Sequence, residues 1–353
     1  MDKKLNVAIN GFGRIGRAFL KIAWERPEIN IVAVNDLGSI ESLAYLLRHD
    51  TVYHNWNHDV KVSGTDLVID GKTVKFISEK DTTKLPWKDM AIDVVVESTG
   101  LFTSYDKAQF HIADGAKKVV ISAPAKDGDP SVSSGQVAGS APVAGETILL
   151  GVNESKFGTC DITSNASCTT NAASPLIAIM HEALGIEKAI LNTVHGYTAS
   201  QSLVDGPSKK DLREGRAAAQ NIVPSSTGAA IAVTKAFPEL IGLFDGISIR
   251  VPVPAGSIVD VTFISKRPTT AEEVNTILKT AAADPRWSKL FAITEEPLVS
   301  SDILGESHAS IADLAMTRVV GGNLVKVMGW YDNEMGYTHT LVDHVIKTGA
   351  TIK

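Results

Sequence analysis

The sequence predicts an α/β protein whose first half is a doubly wound parallel sheet and whose second half is α+β with a mainly antiparallel sheet. Three observations carry that prediction. Short apolar runs alternate with helical patterns from the N-terminus onward, the signature of a parallel sheet covered by helices. After Ser167 the runs lengthen and alternate apolar with polar, as in an antiparallel sheet with one covered face. The 353 residues, 44% of them hydrophobic, exceed one ordinary core, so two domains are the default.

In the first half, Leu5 to Asn10, Ile29 to Asn35, Asp93 to Glu97, Lys118 to Ser122 and Thr147 to Val152 are the strand candidates. Between the first two, Ile15, Ala18, Phe19, Ile22 and Ala23 recur at helical spacing and predict a helix over Arg14 to Trp24. In the second half a helix from Cys168 to Leu184 contains Pro175, which removes a backbone donor and predicts a kink. Longer strands follow over Lys188 to His195, Gly246 to Val253 and Ser257 to Ser265. Thr270 and Glu273 form a capping box ahead of a helix ending at Ala282. Gly321-Gly322-Asn323 is a hairpin turn between Met316 to Val320 and Leu324 to Trp330. Leu341, Val342, Val345 and Ile346 predict a closing helix over Thr340 to Lys347. The expected domains are 1–167 and 168–331, with the C-terminal helix of 332–353 returning to the first.

The 34 Lys and Arg against 40 Asp and Glu leave a formal charge of −6, which gives no footprint for nucleic acid or an acidic membrane surface. No apolar stretch approaches the roughly 18 residues of a spanning helix. Met1-Asp2-Lys3-Lys4 runs straight into a strand pattern instead of a signal region, so a soluble, cytoplasmic protein is expected. With only Cys160 and Cys168, neither a disulfide framework nor a four-thiolate zinc site can form. His49, His54 and His58 lie beside Asp50 and Asp59, but their spacing fits no zinc motif and reads as a solvated loop, so no metal is expected. Asp127 to Gly145, rich in Gly, Ser, Ala and Pro, reads as a surface excursion.

Gly11-Phe12-Gly13-Arg14-Ile15-Gly16 follows a strand and opens a helix, the context that makes a G-x-G-x-x-G run a dinucleotide signal. Gly11 permits the tight turn, Gly13 admits a pyrophosphate to the backbone, and Gly16 lets helix pack on strand. The free amides of the helix end then face the phosphates. Asp36 ends the next strand, where a carboxylate accepts from both ribose hydroxyls of NAD and repels the 2′-phosphate of NADP.

Cys168 stands at a strand-to-helix junction among Ser and Thr, where the helix N-terminus favours thiolate over thiol. It is the candidate nucleophile. Cys160, among strand-like residues, reads as a core residue.

The run Ser167-Cys168-Thr169-Thr170-Asn171, with Asn10 to Arg17 before it and Trp330-Tyr331-Asp332-Asn333-Glu334 after it, resembles phosphorylating glyceraldehyde-3-phosphate dehydrogenase over essentially the whole chain. That resemblance implies a Rossmann-type NAD domain, an α+β catalytic domain, D-glyceraldehyde 3-phosphate and inorganic phosphate as substrates, and a homotetramer. It makes Cys168 the nucleophile and His195 its base, which holds the thiolate as an ion pair and later takes the hydroxyl proton. It assigns Thr198 and Arg250 to the substrate phosphate, Arg because its planar fork matches phosphate oxygens. Ser167, Thr169, Thr227 and Gly228 are assigned to the attacking phosphate. For NAD it adds the backbones of Arg14 and Ile15, Lys80 beside the adenine, Thr99 and Ser122 lining the site, and Asn333 orienting the nicotinamide amide. Lys209, Lys210, Arg213 and Arg216 are placed near the cofactor of a neighbouring subunit. Lys80 and Met335 depart from the family pattern; Lys lacks the planar face of Arg, and Met335 is a packing change. Two rivals stand beside this reading. One is an erythrose-4-phosphate dehydrogenase, in which water replaces phosphate in the last step, and the other is a catalytically idle nucleotide-binding regulatory protein.

Overall fold

The structure, a computed structural model, describes residues 4–125, 144–208 and 211–352. The excursion expected from Asp127 lies outside the described residues as far as residue 143, as do Met1 to Lys3, Lys209 and Lys210. The chain forms two compact units, one of Met1–Ile148, Glu154–Ala166 and Leu341–Lys353, the other of Leu149–Asn153 and Ser167–Thr340.

In the first unit, β1 (Leu5–Asn10), α1 (Arg14–Trp24), β2 (Ile29–Asn35) and α2 (Ile40–Arg48) lead into a meander of β3 (Val60–Ser63), β4 (Asp66–Ile69) and β5 (Lys72–Ile77). β6 (Val94–Glu97), the short helices α3 (Tyr105–Ala108) and α4 (Phe110–Ala113), β7 (Lys118–Ile121), β8 (Gly145–Thr147) and β9 (Ile162–Ser164) follow. The sheet order is β3-β4-β5-β2-β1-β6-β7-β9-β8, parallel from β5 to β8. β6 and β7 are buried throughout, as strands covered on both faces must be. The chain passes from β1 to β2 on one side and later returns to β1 on the other as β6, so strand order reverses there. Such a reversal opens a crevice beyond the carboxyl ends of the strands.

The strand expected over Thr147 to Val152 stops at Thr147. Leu149 N–H donates to the Asn153 side chain at 2.7 Å and Val152 N–H to the Leu149 carbonyl at 3.1 Å, so a side chain and a turn replace the ladder. This turn groups with the second unit, where the Gly151 carbonyl accepts from Arg286 at 2.6 Å. His58, expected in a solvated loop, is held between the carboxylates of Glu25 at 2.9 Å and Asp70 at 2.7 Å.

The second unit contains α5 (Cys168–Leu184), β10 (Ile186–Gly196), β11 (Val223–Ser226), α6 (Ala229–Thr234), β12 (Phe244–Val251) and β13 (Ser257–Ser265). α7 (Ala271–Ala283), β14 (Phe291–Thr294), β15 (Ser310–Asp313), β16 (Arg318–Val320) and β17 (Leu324–Tyr331) complete it. Its sheet runs β11-β12-β10-β13-β17-β15-β14, with β16 beside β17. The pairs β10–β12 and β14–β15 are parallel and the others antiparallel. α5 packs on the covered face and runs through Pro175 without interruption, because Thr169 to Met180 are all buried and packing holds the turn that proline weakens. Only half of the capping box forms: Thr270 accepts from Glu273 N–H at 3.2 Å, but the Glu273 carboxylate turns to Arg267 and Thr269. The closing helix, α8 (Met335–Gly349), starts in the second unit and ends in the first. Residues 332–340 stay with the second unit, where the Asp332 carboxylate accepts from Gly305 N–H at 2.8 Å.

Candidate active site

Strand register builds the centre of the second unit. His195 and Arg250 are direct partners across β10 and β12, and Ser257 and Tyr331 across β13 and β17, all on the face that α5 covers. The N-cap Ser167 accepts from Thr170 N–H at 3.0 Å, so Cys168 opens α5 within the positive end of its dipole. Just before it, buried Ala166 adopts φ +56°, a left-handed conformation that costs a residue with a Cβ about 1–2 kcal/mol and sharpens the turn into the helix. The partly exposed Cys168 places its Sγ 3.4 Å from His195 Nε2.

His195 Nδ1 lies 2.6 Å from both the Gly196 carbonyl and the Arg250 guanidinium. One ring nitrogen cannot donate to the first and accept from the second together, so the two contacts belong to different protonation states. Burial, reinforced by Arg250, pushes the imidazole down to about 3. Burial also pushes the Cys168 thiol up, while Arg250 draws it down. Burial thus works against charge on either group, while Arg250 favours the thiolate and disfavours the imidazolium.

Behind Cys168 runs a buried hydroxyl chain that sequence reasoning missed. Thr169 Oγ1 meets Tyr331 OH at 2.9 Å, and Tyr331 OH meets Thr193 Oγ1 at 2.8 Å. The Tyr331 ring stands edge-on to His195 at 5.9 Å. Thr169 therefore supplies its hydroxyl to the scaffold, leaving its backbone amide in the helix's first turn. A second relay runs from Gly196 N–H to Ser257 Oγ (3.2 Å) and from Ser257 to Asn333 Oδ1 (3.0 Å). Gly256 N–H also donates to that oxygen at 3.0 Å, which fixes Oδ1 as the acceptor and leaves the Asn333 NH2 as the donor. The buried Arg250 Nε has no protein partner among the described residues.

The other predicted phosphate ligands have local partners. Thr198 Oγ1 pairs with Ser200 at 3.0 Å, and Thr227 accepts from Ala229 N–H at 3.2 Å. Gly228 caps α6 with open space around it. Among the described residues no hydrogen bond joins these three to Cys168, His195 or Arg250. Cys160 belongs to the first unit, where its thiol donates to the Ile162 carbonyl at 3.2 Å and burial pushes it up.

The crevice of the first unit holds the dinucleotide candidates. Gly11 has φ +95°, and a Cβ there would lie 2.6 Å from Thr99 N; a Cβ on Gly16 would lie 2.1 Å from the Gly11 carbonyl oxygen. A Cβ on Gly13 would meet nothing within 4 Å, and Gly13 caps α1 without a side chain. Two of the glycines are thus needed by the fold, and the third leaves a cradle of the kind a pyrophosphate fills. Asp36 accepts from Phe12 N–H at 2.6 Å and Gly38 N–H at 2.8 Å, which fixes its carboxylate at the end of β2. Arg14 pairs with Asp50 at 2.8 Å, Ile15 follows it in the first turn of α1, and Ser122 follows β7 with its N–H on the Glu97 carbonyl at 2.9 Å. Lys80 lies in the loop after β5, and Thr99 in the loop after β6.

The family model described as glyceraldehyde 3-phosphate dehydrogenase, NAD binding domain, matches residues 5–105, and the C-terminal domain of the same name matches 167–333. The chain is 45% identical over 348 residues to glyceraldehyde-3-phosphate dehydrogenase 2 of Streptomyces avermitilis, covering 98% of each chain. It is 44% identical over 341 residues to the glyceraldehyde-3-phosphate dehydrogenase of Geobacillus stearothermophilus, covering 96% of each. It is also 44% identical over 338 residues to glyceraldehyde-3-phosphate dehydrogenase B of Aspergillus oryzae, again 96% of each.

Proposed function

The chain belongs to the glyceraldehyde-3-phosphate dehydrogenase family, and from that premise we propose how its own residues carry the reaction. The protein is an NAD-dependent enzyme that oxidises and phosphorylates D-glyceraldehyde 3-phosphate. The observation that carries the residue roles is the convergence on one imidazole of Cys168 Sγ, 3.4 Å from His195 Nε2, and the Arg250 guanidinium, 2.6 Å from His195 Nδ1.

Arg250, with its unpartnered Nε, and Thr198 hold the substrate phosphate. A guanidinium engaged by phosphate oxygens releases His195 Nδ1 to donate to the Gly196 carbonyl, and Nε2 then accepts the Cys168 proton. The thiolate attacks the aldehyde carbon, forming a hemithioacetal whose oxyanion His195 Nε2–H stabilises and whose hydroxyl proton His195 later takes. Bound NAD supplies the hydride acceptor, and Asn333, through its NH2, orients the nicotinamide amide. Ser167, the Thr169 amide, Thr227 and Gly228 present inorganic phosphate to the resulting Cys168 thioester, giving 1,3-bisphosphoglycerate and the free thiol. Gly11, Gly13, Arg14, Ile15, Asp36, Lys80, Thr99 and Ser122 hold the dinucleotide on the first unit.

We place this reaction in the cytoplasm, since its substrate and product are phosphorylated anions that membranes retain. We also propose a homotetramer. Ile190, Ile247 and Leu324 expose apolar surface on the outer face of the second sheet, and Leu203 and Leu212 do so at 81% and 85% exposure before β11. Turnover of glyceraldehyde 3-phosphate beside erythrose 4-phosphate tests the substrate reading, with the triose predicted to have the higher kcat/KM. A preference for the tetrose would move the protein to the rival reading.

A further inference from the structure

We propose that Glu97 is a positioning residue for the dinucleotide, the hub of a buried chain that fixes four cofactor-facing positions at once. The inference rests on the reading of the first unit's crevice as the NAD site. Glu97 ends β6 at 2% exposure and lies outside every motif that points to this cofactor. Each of its oxygens takes two donors. Oε2 accepts from Asn10 Nδ2 at 2.6 Å and His111 Nε2 at 3.0 Å; Oε1 accepts from Thr99 N–H at 2.9 Å and from the Thr99 hydroxyl.

Apart from the Thr99 hydroxyl, which can rotate, none of these donors is free to reverse. Trp87 Nε1, which can only donate, lies 2.9 Å from His111 Nδ1, so that nitrogen accepts and the ring's N–H is on Nε2, facing Glu97. On the other side, Glu79 N–H donates to Asn35 Oδ1 at 3.0 Å. That turns Asn35 Nδ2 onto Asn10 Oδ1 at 2.8 Å, and hence turns the Asn10 amide NH2 onto Glu97. Every neighbour of Glu97 arrives as a donor, and only a carboxylate, with no hydrogen of its own, accepts from all of them.

The ends of this chain fall where the dinucleotide is read. Asn10 precedes the Gly11 turn, Asn35 precedes Asp36, Glu79 precedes Lys80, and Thr99 is bound directly. The side chains of Asn10, Asn35 and Glu97 thus link the ends of β1, β2 and β6 to one another and to the Glu79 backbone in the loop after β5. Satisfied networks of this sort rigidify a site, and a single wrong hydrogen in one is costly. Glu97 therefore pre-organises the crevice without touching the chemistry at Cys168.

Glu97→Gln is the test, because it keeps shape but sets an NH2 either against Asn10 and His111 or against the Thr99 N–H, and Trp87 forbids His111 from changing tautomer to receive it. NAD affinity is read by calorimetric titration of the full-length protein, and folded active sites are counted by thiol titration of Cys168. The expected result is NAD binding weakened about tenfold or more, the size of one spoiled charged hydrogen bond. KM for NAD rises with it, while kcat per titrated thiol and KM for the aldehyde stay within about threefold of the parent. A purely structural role would lower the melting temperature and the number of titratable sites but leave NAD affinity per folded site unchanged, and that result overturns the proposal. If Glu97→Gln yields no folded protein, Asn35→Ser cuts the chain without placing an amide against the donors, and NAD affinity equal to the parent's there overturns it equally. Failure of the parent itself to bind NAD would instead remove the dinucleotide reading on which the proposal stands.

Discussion

At Cys168 the site concentrates its covalent chemistry on one sulfur, so Cys168→Ala should abolish oxidation while NAD binding persists. Activity and calorimetric NAD titration check this, and more than a trace of turnover would refute the assignment. Cys160→Ala should keep most activity, since that thiol is tied to the Ile162 carbonyl in the other unit. Cys168 and Asp36 were legible in the sequence because their spacing to a helix start and a strand end carries the chemistry. Tyr331, Ser257 and Glu97 were not, because each acts through partners distant in sequence. A signal existed for Tyr331: the alternation of β17 puts it on the buried face, and a buried phenol needs hydrogen-bond partners, here Thr169 and Thr193.

The turn between β1 and α1 separates fold from function among three similar glycines. Gly13→Ala should leave thermal stability near the parent's and weaken NAD binding, because its Cβ enters open space where the pyrophosphate is expected. Gly16→Ala should instead cost about 3 kcal/mol or more of stability, because its Cβ would meet a backbone oxygen. Paired melting and NAD titrations distinguish them; equal effects on both readouts would contradict the division. Elements with a strong period, such as α1, β2 and β13, were readable from residue pattern. The meander β3–β5 and the helix α2 were not, since strands of four to six residues carry too little alternation and Ile40 to Arg48 exposes Tyr45 and Leu46 alongside its buried Leu43 and Leu47. Thr147 to Val152 misled because an apolar run is consistent with a strand until a side chain such as Asn153 captures the backbone.

Across the molecule, each unit carries a buried histidine held neutral. His344 on α8, between Thr163 and Asn165, is pushed by burial down to about 3, as is His195 in the second unit. The sign follows from proton binding: between the unfolded value of 6.5 and the folded value near 3, the unfolded chain binds more protons. Their contribution is therefore full above pH 6.5 and lost as pH falls toward 3, by about 1 kcal/mol per pH unit for each ring. His344→Gln should narrow the difference between melting temperatures at pH 7.5 and pH 5, and an unchanged gap would mean that the ring is not kept neutral by burial. We expect an acyl group left on Cys168 to be released by inorganic phosphate. A single-turnover experiment with glyceraldehyde 3-phosphate and NAD but no phosphate tests it most directly. A burst of NADH near one equivalent per titrated Cys168 thiol, stalling and then resuming when phosphate is added, is the predicted result, whereas sustained turnover at the full rate without phosphate would contradict it.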